Sequence, residues 1–291
     1  MASLKDLKKR ISGVKKTHQI TKAMKMVAAA KLRRAQSNME QAKPYAESIK
    51  QVIADLGINA DKTAHPLLDV RQQKKAMVIV VTSDRGLCGA FNTNISKRAE
   101  HYIRDNDNGH DDIELAVIGK KGREYLKFRN YKIAHEYMDV LSDPTMERAS
   151  DIGAQIVSRY IDEGLDAAYI IYNEFKTAAK QDIVVERLLP ILPEQMGVDI
   201  TPVEGSQGFL YEPSMYRVLE TILPLYVNVR LYFAVLESLA AEMGARMTAM
   251  DIATQNAEEV ITSLSMKYNR TRQAAITNEL MEIVSGAEAL K

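Results

Sequence analysis

Tryptophan is absent from the 291 residues, and phenylalanine occurs only five times. A core built from bulky rings is therefore excluded. Alanine and methionine supply much of the apolar content instead, a bias that suits slim contacts between helices. The single cysteine, Cys88, rules out an internal disulfide framework and fits a reducing compartment. No unbroken apolar run approaches the ~18 residues of a membrane-spanning helix, so no span is expected. The N-terminus lacks the apolar centre of a signal peptide. It is basic and amphipathic, which raises a transit-peptide reading, but a heptad pattern running from Leu4 favours part of the mature fold. There is also little net charge, +1, so the molecule as a whole is not built to bind polyanions.

What is present is an apolar content of 46%, enough for a packed core and against disorder. The charge is unevenly spread. Between Lys5 and Arg34 eleven cations face only Asp6, and a basic helix of this kind expects acidic company. Steps of three and four from Leu4 land on Leu7, Ile11, Val14, His18, Thr21, Lys25, Ala28, Leu32, Ala35, Met39, Ala42, Ala46, Ile49, Ile53 and Leu56. All but His18, Thr21 and Lys25 are apolar, which predicts a coiled-coil seam over roughly seven heptads. In the polar stretch Ile20, Met24 and Val27 offer a neighbouring stripe, so the buried face is expected to drift. Gly57 stands where a C-terminal cap belongs. The helix would run ~80 Å. Near the other end, Leu236, Ala240, Met243, Met247, Met250, Thr254, Ala257, Ile261, Leu264 and Tyr268 keep the same alternation. Pro213 and Ser214 mark a start, Pro224 predicts a kink, and the helix would reach about Ser285, ~110 Å in all. Neither helix can bury its stripe alone, so the two are expected to pack on each other.

The middle follows another pattern. Ala76–Val81, Leu115–Ile118 and Ala168–Tyr172 are short, apolar and rich in β-branched residues, as buried parallel strands are. Helical stretches over 90–104, 122–128 and 145–163 separate them, and strand-helix alternation predicts an α/β sheet with right-handed crossovers. Ile183–Leu189 reads as a further strand, ended by Pro190 and Pro193. The stretch 195–208, with its glycines and prolines, reads as a mobile loop.

Few residues suggest chemistry. Thr82-Ser83-Asp84-Arg85-Gly86-Leu87-Cys88-Gly89 follows a strand and precedes a helix, a place where phosphate can bind. Neither GxxxxGK[ST] nor GxGxxG is present, and Gly86 and Gly89 more simply permit a tight turn through positive φ. Cys88 has no histidine near it in sequence to act as base and reads as a small buried thiol. His18, His65, His101, His110 and His135 have no metal-ligand spacing; His18 lies on the seam and His110 in a polar turn. No catalytic, cofactor-binding or metal-binding residue is expected. The basic N-terminal helix could meet nucleic acid, an anionic membrane or an acidic protein, but it has no aromatic residue for base stacking before Tyr45. The final stretch, Ile276–Leu290, would overhang the N-terminal helix. Ile276, Leu280, Ile283 and Val284 would then lack a partner within the chain, a mark of an interface.

Three segments resemble gamma subunits of bacterial-type F-type ATP synthases: Ile20-Thr21-Lys22-Ala23-Met24-Lys25-Met26-Val27-Ala28, Ser83–Gly89, and Ile276-Thr277-Asn278-Glu279 with Glu282 and Gly286-Ala287-Glu288-Ala289. The last meets every fixed position of the family's signature, and the resemblance covers the whole chain in order. It implies an antiparallel coiled coil of the two termini carrying a Rossmann-like α/β domain, divided as shaft helix 1–57, α/β domain 74–208 and shaft helix 209–291. It implies a central rotor without catalytic residues or cofactor, set in a ring of alpha and beta subunits, standing beside the epsilon subunit on the c-subunit ring. The chain would meet no nucleic acid, and would touch the membrane only through the complex, at the cytoplasmic face of the inner membrane. By motif match, Met24, Arg246, Arg272, Gln273 and Thr277 would contact beta subunits, and Tyr211 and Glu212 the foot near the c ring and epsilon; the overhanging Ile276, Leu280, Ile283 and Val284 would be the shaft tip. The cysteine pair of the chloroplast form is missing, so thiol regulation of that kind is not expected. Two other classes stay open on the residues alone. One is a small α/β nucleotide- or phosphate-binding enzyme with helical dimerisation arms, and the other a nucleic-acid-binding coiled coil.

Overall fold

A computed structural model describes residues 3–59, 65–72, 74–106, 112–195 and 214–288. Helix α1 (Leu4–Asn59) opens on a reciprocal cap. Ser3 Oγ accepts from the Asp6 amide at 3.2 Å, while the Asp6 carboxylate accepts from the Ser3 amide and hydroxyl. The helix does not stop at Gly57 but continues to Asn59. Helix α5 (Met215–Glu288) begins directly after Ser214, whose hydroxyl accepts from the Arg217 amide at 3.4 Å. It runs unbroken through Pro224, where the sequence predicts a kink.

The chain forms two compact units, Met1–Ala29 with Arg246–Lys291, and Ala30–Ala245. In the first, the N-terminal part of α1 lies against the C-terminal part of α5. Thr254 Oγ1 donates to Thr21 Oγ1 at 2.8 Å, and Lys25 Nζ pairs with Asp251 at 2.6 Å. As the number rises on one helix it falls on the other, so the pair is antiparallel. Leu7, Thr21 and Ala28 are buried from one side, Met250 and Ala257 from the other. The buried face does not drift. Ile20 and Val27 are exposed, and the heptad positions 18, 21 and 25 stay inside or half-inside despite their polarity. The reason is that Thr21 and Lys25 meet polar partners at the same level of the other helix, which offsets the cost of covering them.

The second unit holds a five-stranded sheet of β1 (Lys75–Val81), β2 (Asp112–Ile118), β3 (Ile133–Tyr137), β4 (Ala167–Phe175) and β5 (Gln181–Leu189). Its order is β3-β2-β1-β4-β5; β5 alone is antiparallel, joined to β4 by a hairpin. Every residue of β1 from Ala76 to Val81 is buried, as a central strand covered on both faces must be. On one face Val78, Val80, Leu115, Val117 and Ile171 pack against Ile95 of α2 (Phe91–Asn106) and Leu126 of α3 (Lys120–Phe128). On the other, Met77, Ile79, Ile118, Ile170 and Tyr172 share a core with Ile152 and Ile156 of α4 (Met146–Asp162), Ile49 and Ile53 of α1, and Leu219, Leu223 and Val227 of α5.

Strand β3 is absent from the sequence prediction. It is a short edge strand of half-buried Ile133, His135 and Tyr137 alternating with exposed residues, a weak signal next to the all-apolar runs. The sequence also shows no unbroken apolar run of ~18 residues, yet α5 contains an eighteen-residue window apolar enough to cross a membrane. Leu219, Leu223, Val227 and Leu231 of that helix are buried in protein, so its apolarity is that of a core helix.

Candidate partner-binding surfaces

In an open α/β sheet ligands bind beyond the carboxyl ends of the strands where the strand order reverses. Here that place lies beyond β1 and β4, and protein fills it. The amide of Asn173 at the end of β4 donates to Ser238 Oγ of α5 at 3.3 Å. Cys88, Phe91 and Ala241 form a buried cluster with Phe175 and Ala245 against it. At Gly244 the helix comes so close to the β4–β5 turn that an added Cβ would lie 3.1 Å from Ala178 Cα.

The loop leading there is tied to itself. Asn92 Oδ1 accepts from the Ser83 amide at 2.9 Å, Asn92 Nδ2 donates to Ser83 Oγ at 2.8 Å, and Ser83 Oγ donates to the Arg85 carbonyl at 2.6 Å. Gly89 has the expected positive φ, 58°, but Gly86 does not; Leu87 takes φ 64° in its place. Asp84 Oδ1 accepts from the Lys120 amide at 3.0 Å, so a side chain of the chain itself occupies the first turn of α3. The loop turns Arg85, Gly86 and Leu87 outward.

The remaining histidines are placed as follows. His18 is half-buried on the seam of α1. His65 caps a short 3-10 turn, its Nδ1 accepting from the Leu67 amide at 3.1 Å. Burial lowers its pKa, the neighbouring Glu220 opposing that shift. His135 stands against Arg159. His110 and most of the expected loop 195–208 lie outside the described residues. Among the described residues no group of three or more metal-ligating side chains occurs.

The residues expected to meet partners are spread along the two helices. Met24 on α1 and Arg246 on α5 are half-buried; Arg272, Gln273 and Thr277 are exposed. The Thr277 hydroxyl donates to the Gln273 carbonyl at 3.0 Å, which leaves its oxygen free to accept. Ile276, Leu280, Ile283 and Val284 are 48%, 57%, 68% and 55% exposed, and Met281 joins them. Met281 is off the stripe read from sequence, but here the helix is exposed all round. Tyr211 and Glu212 lie outside the described residues. Exposed Met26, Ile252, Val260 and Met266 add further apolar side chains off the seam, a set that heptad counting passes over because it scores only the inward face.

Such surfaces fit a chain that works by touching others. The sequence profile of the ATP synthase family matches residues 3–290. The ATP synthase gamma chain of Trichlorobacter lovleyi is 48% identical over 291 residues, with all of both chains covered, and that of Geobacter metallireducens is likewise 48% identical over full length. The chain belongs to the ATP synthase gamma-chain family. Among solved structures, a chain of the Euglena gracilis mitochondrial ATP synthase in rotational state 3 has the same fold at TM-score 0.68, with 22% identity over 99% of this chain and 94% of that one. A chain of the Tetrahymena thermophila central stalk and c-ring aligns at TM-score 0.61 and 24% identity, over 80% and 99% of the two chains. For a gamma-family chain, the filled crevice and the bare end of α5 describe the same molecule. Side chains of α5 and of the loop after β1 pack beyond β4, and exposed apolar side chains lie on the helices.

Proposed function

We propose that this chain is the central rotor shaft of an F-type ATP synthase. It couples proton-driven rotation of a c-subunit ring to ATP synthesis or hydrolysis in the beta subunits of the surrounding alpha/beta ring. Its own residues carry out no chemistry. The observation that carries this reading is the uncovered apolar end of α5, in a chain that matches the gamma family along its whole length. An apolar surface offers no directional hydrogen bonds, so it can turn in a sleeve without being held deeply at one angle. Charges lower on the shaft act differently. Arg246 and Arg272, and the cations of α1, attract carboxylates in a way that depends on angle. An asymmetric shaft thus presents different faces to three equivalent beta subunits and biases each toward a different nucleotide affinity, which is coupling between sites by differential contact.

In this assembly Met24, Arg246, Arg272, Gln273 and Thr277 face beta subunits, Ile276, Leu280, Ile283 and Val284 form the tip, and Tyr211 and Glu212 face the c ring and epsilon. The shaft comprises 1–57 and 209–291, with 74–208 as the α/β domain on its side. The complex holds the chain at the cytoplasmic face of the inner membrane, without a span of its own. The test is Met24→Lys in the reconstituted complex. Met24 sits one residue from Lys25, and a second cation there deepens one angular minimum against an acidic loop. ATP-driven proton pumping should fall well below wild type while ATP hydrolysis persists. Equal pumping would remove the Met24 contact from the scheme. Tight ATP binding by the purified chain in calorimetry would remove the non-catalytic reading itself.

A further inference from the structure

The face of the β4–β5 hairpin that meets α5 carries a row of carboxylates. Strand register puts Glu174 opposite Asp182 and Ile170 opposite Glu186, all on the α5 side with Tyr172. Two of the row have firm partners. Glu186 takes a bidentate pair from Arg230, at 2.8 and 2.5 Å, plus the Tyr172 hydroxyl at 3.1 Å. Glu174 pairs with Lys176 at 2.6 Å. Glu237, two turns along α5 from Arg230, is different. It is half-buried, and its Oε2 is covered and has no hydrogen-bond partner. The charges that reach it are Glu174 on β4, Lys176 in the turn, Glu186 on β5 and Arg230 on its own helix. Both of the cations are already engaged by the other two carboxylates.

We propose that α5 and the β4–β5 hairpin form a proton-operated clasp, closed when the covered, unpartnered carboxyl of Glu237 takes up a proton. As a carboxylate, Glu237 can only accept hydrogen bonds and repels its neighbours; protonated, it gains an O–H to donate and loses the repulsion. Burial, and then the field of Glu174, raise its pKa to about 7. A folded-state pKa above the unfolded value means that the folded form binds the proton more tightly. The clasp's contribution is thus complete below the unfolded carboxyl range and is lost as pH rises through about 7. Such a clasp ties the firmness of α5 on its sheet to the proton concentration around the chain.

Hydrogen–deuterium exchange on the full-length chain tests this between about pH 6.5 and 8.5, above the range in which ordinary carboxylates titrate. After correction for intrinsic rates, wild-type amides of β5 and of α5 around Glu237 should exchange roughly fourfold faster at the alkaline end. In Glu237→Gln, a neutral isostere of the closed state, protection should stay high at both ends. The same pH slope in the variant and the wild type overturns the proposal. Glu174→Gln keeps the test informative should the first variant not fold. Removing a neighbouring carboxylate must move the midpoint to lower pH, and an unmoved midpoint overturns the proposal as well.

Discussion

The two halves of α5 have the same backbone and opposite surroundings. From Leu219 to Leu236 the apolar side chains are buried against a sheet and two other helices; from Ile276 to Val284 they are bare. Both carry leucine, isoleucine and valine. The difference lies in what the rest of the chain brings near. The first half stabilises the fold, and the second, in the rotor role proposed above, keeps its apolar surface for a partner.

Substitutions can break that contrast. Leu223→Ala opens a cavity in a fully covered site and should cost the chain about 3 kcal/mol in denaturant unfolding. Leu280→Ala should change chain stability by less than about 0.5 kcal/mol, yet weaken retention in the complex. An equal loss of chain stability from both would abolish the distinction. Next in size is Gly153→Ala, where α4 meets α5. The new Cβ would fall 1.9 Å from Asn228 Oδ1, so the amide must move, and about 1–2 kcal/mol should be lost by the same measurement. Smallest is Lys25→Ala. Lys25 and Asp251 are 41% and 40% exposed, so solvent screens the pair. The expected change is about 0.5 kcal/mol or less, shrinking further in high salt. A larger loss would mean that this ion pair is more than a solvated contact.

The heptad steps from Leu4 to Ile53 all fall on buried or half-buried positions, because a long helix with one covered side must repeat its pattern at 3.5–3.6 residues. The three apolar strands are equally plain, and Ile183–Leu189 is legible despite Glu186 and Arg187. What sequence missed depends on pairing rather than on pattern. β3 exists because β2 offers it an edge, with Ile118 opposite Tyr137, and its own five residues barely announce it. Leu87 takes the left-handed turn that Gly86 was expected to take, since the hydrogen bonds of Ser83 and Asn92 hold the loop and Leu87 points outward. Glu237 gave no sign at all. Its character comes first from burial and then from the fields of Glu174 and Glu186, more than fifty residues away along the chain. The residues carried over from the family motif, Met24, Arg246, Arg272, Gln273 and Thr277, share no pocket. A contact surface spread along two helices leaves no local constellation for sequence reading to find.

The polar break at Thr21 and Lys25 has one more consequence. Leucine and alanine seams are forgiving, and two helices bearing only such residues could slide by a heptad and still cover their stripes. Thr21 against Thr254 and Lys25 against Asp251 remove that freedom. A slipped pair would lose both the Thr21–Thr254 contact and the Lys25–Asp251 pair. The mismatch keys the two strands at one axial setting, as a notch fixes a collar on a spindle.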